Sequence, residues 1–433
     1  MKILSYRDAG YDAFVRRLHR RAVPDAAVRE LVAEIIGEVA RRGDRALVAY
    51  AQRFDGVKLG PGRLLVGDEE IERAAAAVSG ATRRAVACSL RNIGAFARRS
   101  LRKDWSRRNA QGAEVGERFV PFERVGVYVP GGKAPLVSTA LMTAGFAKAA
   151  GVPGIVAATP CGRDGAIVPE LLYALHAAGA TEILRCGGAQ AVAALALGTR
   201  SVAPVDRIFG PGNRFVVEAK RQLVGAVSID LLPGPSEVLV VADKTADPQF
   251  IAADLLAQAE HGGDSAVGLL TDSRRLLDRV VREIGVQLAE LGRAEIVREV
   301  LERGTFLVHV RSLAEAVRLA NAYAPEHLSL VVAREQQVLA GIRTAGAVYL
   351  GGQSAVAVGD FLAGPSHTLP TGGAGRSFSG LRADQFQRRT SIVRMGAGAL
   401  RKAWPTVREF ARIEGLDAHG RSVAVRLRGG GGK

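Results

Sequence analysis

Ser236-Glu237-Val238-Leu239-Val240-Val241-Ala242-Asp243 runs into Asp247-Pro248 and closes on Gln258-Ala259-Glu260-His261-Gly262-Gly263-Asp264-Ser265. The apolar, β-branched run Val238 to Val241 reads as a buried strand. Asp247 before Pro248 has the form of an N-cap with proline at the first helical position, and Gly262-Gly263 that of a helix stop. At about 3.6 residues per turn, Ile251, Leu255 and Gln258 share one helix face, His261 follows one turn on, and Asp254 lies near the same stripe. An amide, an imidazole and a carboxylate thus point where the apolar residues point. Leaving one such buried group unpartnered costs about 1–3 kcal/mol, so an interior group that receives them is expected. A metal ion is one candidate, because a histidine at a helix end with a ligand one turn back is a good chelating geometry. A capping or hydrogen-bonded histidine is the plainer alternative, and this stretch leaves both open.

The bulk of the chain narrows the classes. Its 433 residues, 48% hydrophobic, are enough for a large core and two or more domains. It has no run of about 18 apolar residues, so no transmembrane helix is expected. The N-terminus carries Asp8 and Asp12 and no apolar segment of the signal-peptide kind. Cys88, Cys161 and Cys186 are widely spaced without a Cys-x-x-Cys, which predicts a reducing, cytoplasmic setting and argues against a cysteine-based zinc site. The net charge of +16, from 59 Lys+Arg against 43 Asp+Glu, raises a nucleic-acid partner. Yet the densest run, Arg98 to Arg108, has only Phe96 and Trp105 beside it and matches no nucleic-acid-binding motif. A solvated Arg-rich surface is the better reading.

Residues 1–24 read as a short helical arm, with Tyr11, Phe14, Val15 and Leu18 at helical spacing. Val28, Leu31, Val32, Ile35, Ile36 and Val39 predict an amphipathic helix stopped near Gly43, and 69–100 a second, Ala-rich pair. From Arg124 a strand–glycine–helix rhythm begins, which implies a parallel sheet with helices on its faces. Its turns are Pro130-Gly131-Gly132, Gly187-Gly188 and Gly210-Pro211-Gly212-Asn213, where backbone N–H groups can approach a phosphate. None is the Gly-x-Gly-x-x-Gly fingerprint, since Phe215 stands where its third glycine would be.

Farther on, Ala324-Pro325-Glu326-His327-Leu328 sets an acid/base pair on a positioned loop before an apolar strand. Gly359 to Gly373 is too long and too rich in Gly and Pro for a plain connector. In it Asp360 is a hard oxygen donor for a metal shell, and His367 either binds substrate or packs. A last helix with Val407 and Phe410 runs into Glu414-Gly415-Leu416-Asp417-Ala418-His419, and the Gly429 to Gly432 tail reads as flexible.

In this order the motifs resemble the histidinol dehydrogenase family, from about Gln52 to Arg426. They are Tyr128-Val129-Pro130-Gly131-Gly132-Lys133-Ala134-Pro135, Gly187-Gly188-Ala189-Gln190-Ala191, Gly210-Pro211-Gly212-Asn213 and Gly234-Pro235-Ser236-Glu237. Gln258-Ala259-Glu260-His261-Gly262, Ala324 to Leu328, Gly359-Asp360, His367 to Gly373 and Glu414-Gly415-Leu416 with His419 complete the series. The resemblance implies a zinc-dependent enzyme of histidine biosynthesis. It would oxidise L-histidinol to L-histidine through a held aldehyde, reducing two NAD+ in succession. It implies Gln258, His261, Asp360 and His419 as zinc ligands, Glu326 and His327 as the catalytic pair, and Tyr128, Gln190 and Asn213 as NAD contacts. Ser236, His367 and Glu414 fall on substrate-contacting positions together with the ligands and the pair. A homodimer is implied as well, in which Glu414 and His419 act in the partner's site.

The expected fold is α/β, two Rossmann-like parallel-sheet domains with small N- and C-terminal helical extensions. Residues 25–127 with 237–381 form the larger domain, 128–236 the inserted NAD-binding domain, 1–24 an N-terminal arm and 382–433 a C-terminal arm. The chain departs from the family pattern at Pro233, at Leu136-Val137-Ser138, at Ser354-Ala355 and at Phe361, none of which removes a ligand or the pair. A paralogue acting on another polar alcohol, such as a sulfonated diol, is the alternative, against which Glu414 counts because a carboxylate repels a sulfonate. A basic nucleic-acid-binding protein on an enzyme fold is the alternative of another class. It leaves the filled catalytic positions unexplained.

Overall fold

In the computed structural model the quoted stretch supplies the centre of a six-stranded sheet. The structure describes residues 1–20, 25–131, 135–262 and 264–428. Gly132, Lys133, Ala134, Gly263, the end of the N-terminal arm and the Gly429 to Gly432 tail lie outside the described residues. The strands are β1 (Lys2–Ser5), β2 (Trp105–Arg108), β3 (Glu114–Pro121), β4 (Arg124–Tyr128), β5 (Gly154–Thr159), β6 (Glu182–Arg185), β7 (Arg207–Phe209), β8 (Ser228–Ile229), β9 (Glu237–Ala242), β10 (Ala266–Thr271), β11 (Thr305–His309), β12 (His327–Val331), β13 (Ala347–Leu350) and β14 (Gln387–Arg394).

The first sheet has the order β1-β11-β10-β9-β12-β13 and is parallel throughout. Every residue of β9 is buried. Val238 and Val240 enter the core on one face, Leu239 and Val241 the core on the other, as a central parallel strand covered on both sides requires. The helix Pro248–Ala259 then starts as expected, with the Asp247 carboxylate accepting the Gln249 N–H at 2.9 Å. Ile251, Leu255 and Gln258 are all buried on its inner face. It ends at Ala259, so His261 stands in the following turn and not on the helix itself.

The second sheet is parallel with the order β6-β5-β4-β7-β8. With the edge strand β1 set aside, in each sheet the third strand in sequence lies outermost of the first three and the fourth returns beside the first, which puts a switch point between β9 and β12 and another between β4 and β7. The chain is an α/β protein with two Rossmann-like sheets. The helix Val137–Ala149 is buried along nearly its whole length, apolar all round, and packs between elements of the second sheet and the loop near His367.

Three expectations need correction. The N-terminal arm is not purely helical: Lys2–Ser5 is a strand paired with β11, and the helix Tyr11–Arg17 follows it. Four residues at a sheet edge carry too little periodicity to be read. The helix Ala26–Arg42, expected with the larger domain, packs its Val28, Val32, Ile35 and Val39 with Val156, Leu184, Val192 and Ile208 of the second sheet and its helices, whereas Ser89 and Asn92 farther along bond to Phe361 and Leu362. An amphipathic stripe states that a face is buried, not which sheet buries it. The C-terminal segment, finally, carries a short helical turn, Ala383–Phe386, and the strand β14 ahead of its helices.

Residues Met1–Ser100 and Glu123–Phe386 form one compact unit, and Leu101–Phe122 with Gln387–Lys433 a second. The second unit is an antiparallel sheet, β14-β3-β2, in register from Gln387↔Pro121 to Arg394↔Glu114, followed by the helices Ala397–Ile413 and Asp417–Arg428. It holds sixteen Lys and Arg against six Asp and Glu, so most of the chain's positive excess resides there. Some is paired across the sheet, as in Arg389–Glu117 at 3.0 Å. Among the described residues no helix is long and apolar enough to cross a membrane.

Candidate active site

Glu326 and His327 stand where β12 begins. Ala324 closes the preceding helix in the left-handed region (φ 52°), Pro325 follows, and the chain turns directly into the strand. Residue 237 opens β9 alongside. The pair therefore sits at the amino ends of the two strands that flank the switch point, the edge opposite to the one open α/β sheets usually use.

Both side chains hang from residue 237. The buried Glu326 carboxylate accepts the Glu237 N–H at 2.7 Å, and His327 Nδ1 lies 3.0 Å from the Glu237 carbonyl oxygen. A carbonyl only accepts, so Nδ1 carries a proton, and on the neutral ring Nε2 is the free nitrogen. Nε2 faces Asp360 Oδ1 at 3.3 Å. Burial pushes the Glu326 carboxyl up to about 8. For His327 burial alone would lower the value, but the Glu326 and Asp360 carboxylates outweigh it and raise the imidazole to about 9. Burial likewise opposes ionisation of Asp360, and its bond to His327 and that ring's charge bring it below the usual range.

Asp360 is not in an irregular loop: it ends a short helix, Val356–Phe361. Gly359 before it rests on Tyr349, and a Cβ there would overlap the Tyr349 hydroxyl. Ser89 Oγ donates to the Phe361 carbonyl at 2.7 Å and Asn92 Nδ2 to that of Leu362 at 2.9 Å, which holds the end of this helix. His367 has both ring nitrogens engaged, Nδ1 on the Asp360 carbonyl at 3.1 Å and Nε2 with Thr139 Oγ1 at 3.0 Å. It therefore ties the Asp360 turn to the helix Val137–Ala149. Burial lowers its pKa, as it does that of His261, which lies within electrostatic reach of Asp360 and His327 though the residue as a whole is exposed. Asp254 faces the Val356 amide instead of the other donors, and burial raises it to about 6. Ser236 is half-buried just ahead of β9.

Glu414 and His419 belong to the second unit. Glu414 caps the helix Ala397–Ile413, His419 lies in the first turn of Asp417–Arg428, and both side chains are exposed. Among the described residues no three His, Cys, Asp or Glu side chains are disposed to hold a metal ion.

The expected dinucleotide contacts gather at the carboxyl ends of the second sheet. Tyr128 is buried at the end of β4 and its hydroxyl accepts the Gly188 N–H at 3.0 Å. Gln190 is buried in the first turn of the helix Gly188–Leu197. Asn213 caps the helix Arg214–Leu223 with its Oδ1, at 3.0 Å from the Phe215 N–H and 3.2 Å from that of Val216, so only its amide NH2 is left for a ligand. Gly210 (φ 109°) packs so closely on Tyr128 that a Cβ would overlap the Tyr128 carbonyl oxygen. A fully buried Lys220–Asp230 pair grips this turn: Lys220 Nζ donates to the Gly210 carbonyl at 2.8 Å and Asp230 Oδ2 accepts the Gly210 N–H at 2.7 Å. A cleft of about 740 Å³ opens beside these loops, lined by Phe54, Asp55, Gly131, Pro160 and Cys161 among others.

The sequence model for histidinol dehydrogenase matches residues 18–427. The chain belongs to the histidinol dehydrogenase family. A family member from Syntrophotalea carbinolica is 44% identical over 429 residues, 99% of each chain. One from Rhodopseudomonas palustris is 45% identical over 393 residues, 91% of each. The crystal structure of the histidinol dehydrogenase from Elizabethkingia anophelis superposes with a TM-score of 0.93 at 34% identity, covering 99% of this chain and 98% of that one.

The donors this histidinol dehydrogenase family member offers fit zinc in kind. His261 is a borderline nitrogen donor, Asp360 Oδ1 is buried with the His327 ring nitrogen facing it at 3.3 Å, and the terminal nitrogen of the Gln258 amide, whose two ends interchange by a flip, is buried without a hydrogen-bond partner. Residue 237 was legible only as the start of a strand. Its grip on the Glu326 and His327 side chains, and the Lys220–Asp230 pair under the Gly210 turn, have no signature in the linear chain.

Proposed function

We propose that this protein oxidises L-histidinol through the aldehyde to L-histidine in the cytoplasm, with zinc and two NAD+, as a homodimer with shared sites. The observation that carries the reading is the pair Glu326 and His327, hung from one residue and facing Asp360. Gln258, His261, Asp360 and His419 would hold the zinc, which when bound supplies an anchor for the substrate's imidazole and amine. Tyr128, Gln190 and Asn213 would hold NAD+, which supplies the hydride acceptor.

The chain's own groups do the proton work. His327 Nε2 takes the proton of the substrate hydroxyl. A cation held by Asp360 would offset the charge of that carboxylate, one of the two that raise His327. Glu326 then takes a proton from the water that attacks the aldehyde, a task suited to a carboxyl raised by burial to about 8. Glu414 and Ser236 meet the cationic amine and polar end of the substrate. Burial of the pair keeps bulk water from the aldehyde between the two oxidations. The deciding experiment is turnover with NAD+ across a panel of alcohols including histidinol and a sulfonated diol. Oxidation of the diol in preference to histidinol would overturn the reading.

Chelation is expected to abolish turnover and added Zn2+ to restore it, with His261→Ala and His419→Ala each lowering the metal content read by elemental mass spectrometry. Full turnover by a metal-free preparation would sink the zinc assignment. Gly210→Ala is expected to weaken NADH binding by about tenfold or more, because the turn and the Tyr128 backbone cannot keep their present approach. A fluorescence titration with unchanged affinity would remove this turn from the dinucleotide site.

A further inference from the structure

Glu237 is buried, 2% exposed, and its two main-chain groups bind the two catalytic side chains. Its own carboxylate is held from the other side. Arg20 meets it with both ends of its guanidinium, Nη1 to Oε1 at 2.6 Å and Nη2 to Oε2 at 3.0 Å, and the Gly372 N–H adds a third bond at 3.1 Å. Arg20 in turn lies over the Tyr323 ring, 3.7 Å from its centroid, and Nη2 also reaches the Tyr323 carbonyl at 3.4 Å. The Arg20 main chain is fixed too, since Arg376 donates to its carbonyl and to that of Ala322. Such a planar fork fixes direction as well as charge, which a lysine ammonium does not. Residue 237 therefore has its orientation set by the N-terminal segment, the part of the chain that shows no chemistry in its sequence.

We propose that Arg20 is a positioning residue of the reaction: its fork on Glu237 fixes the main chain from which Glu326 and His327 hang, and keeps the His327 proton on Nδ1 so that Nε2 faces the substrate. Without Arg20 the buried Glu237 carboxylate loses its two-pronged partner and turns towards water, which rotates the peptide groups that orient the pair. The inference rests on the reading of Glu326 and His327 as the reacting groups.

The test compares wild type, Arg20→Ala and Arg20→Lys as full-length enzyme. Arg20→Ala is expected to lower kcat about 100-fold with KM within about threefold, as for a small misplacement of reacting groups, and Arg20→Lys to fall between. Methylguanidinium should restore part of the lost rate in Arg20→Ala, through the part-exposed position of the side chain, where methylammonium at equal concentration does not. The neutral His327 ring, assigned against His327→Gln by 15N resonance, should read as Nδ1–H in wild type and as a tautomer mixture in Arg20→Ala. An unchanged kcat, a rise in KM alone, or an unchanged ring tautomer overturns the proposal. Failure of the wild type to oxidise histidinol would remove the functional reading, while the ring nitrogens would still decide the positioning role.

Discussion

Glu326→Gln is expected to keep the interconversion of histidinol and histidinaldehyde while losing aldehyde oxidation to the acid by about 10²–10⁴-fold. The alcohol step needs a base at the substrate hydroxyl, and the aldehyde step needs one at the attacking water. One group does not occupy both places. The substitution is close to isosteric, and the amide oxygen can still accept the Glu237 N–H that holds Glu326, so His327 keeps its own bond to the Glu237 carbonyl. Single-turnover measurements started from histidinol and from histidinaldehyde separate the two steps. Equal losses in both would refute the division of labour.

A mixture of His261→Ala and His419→Ala subunits, each inactive alone, is expected to recover about a quarter of the wild-type rate after exchange: random pairing makes half of the dimers mixed, with one intact site of two in each. The expectation follows from placing His261 in the first compact unit and His419 in the second, together with the family resemblance that puts the second in the partner's site. Were each site built within one chain, every chain in the mixture would carry its own lesion. A verified heterodimer that stays at the background of its parents would rule out the shared site.

The two kinds of residue in the site differ in how they could be read. The helical stripe of Ile251 and Leu255 carries Gln258 inward as its spacing implies, whereas His261, placed beside that stripe by the same spacing, stands in the turn after the helix and is exposed. Glu326 and His327 were legible as an acid and a base after proline at a strand entrance. The position of His367 in its loop fits a substrate contact or a packing residue, and its two engaged nitrogens favour a role in holding Asp360. Asp360 was expected on a loop and ends a helix, since six residues of helix among glycines and prolines give no readable period. The strands β2, β3 and β14 escaped notice in the same way, as their burial alternation is weak and Arg-rich.

By itself the sequence determined the parallel α/β class, the central strand and its helix, the three glycine turns and the residues able to do proton chemistry. These follow from short-range rules: residue period, capping, glycine geometry and side-chain type. Only the tertiary structure decided that the helix Ala26–Arg42 packs on the second sheet, that Glu326 and His327 sit at the amino end of β12 beside that of β9, and that Arg20 reaches Glu237 from 217 positions away. Such pairings are made by chain reversal and packing between distant segments. No local preference encodes which buried carboxylate a given arginine will meet.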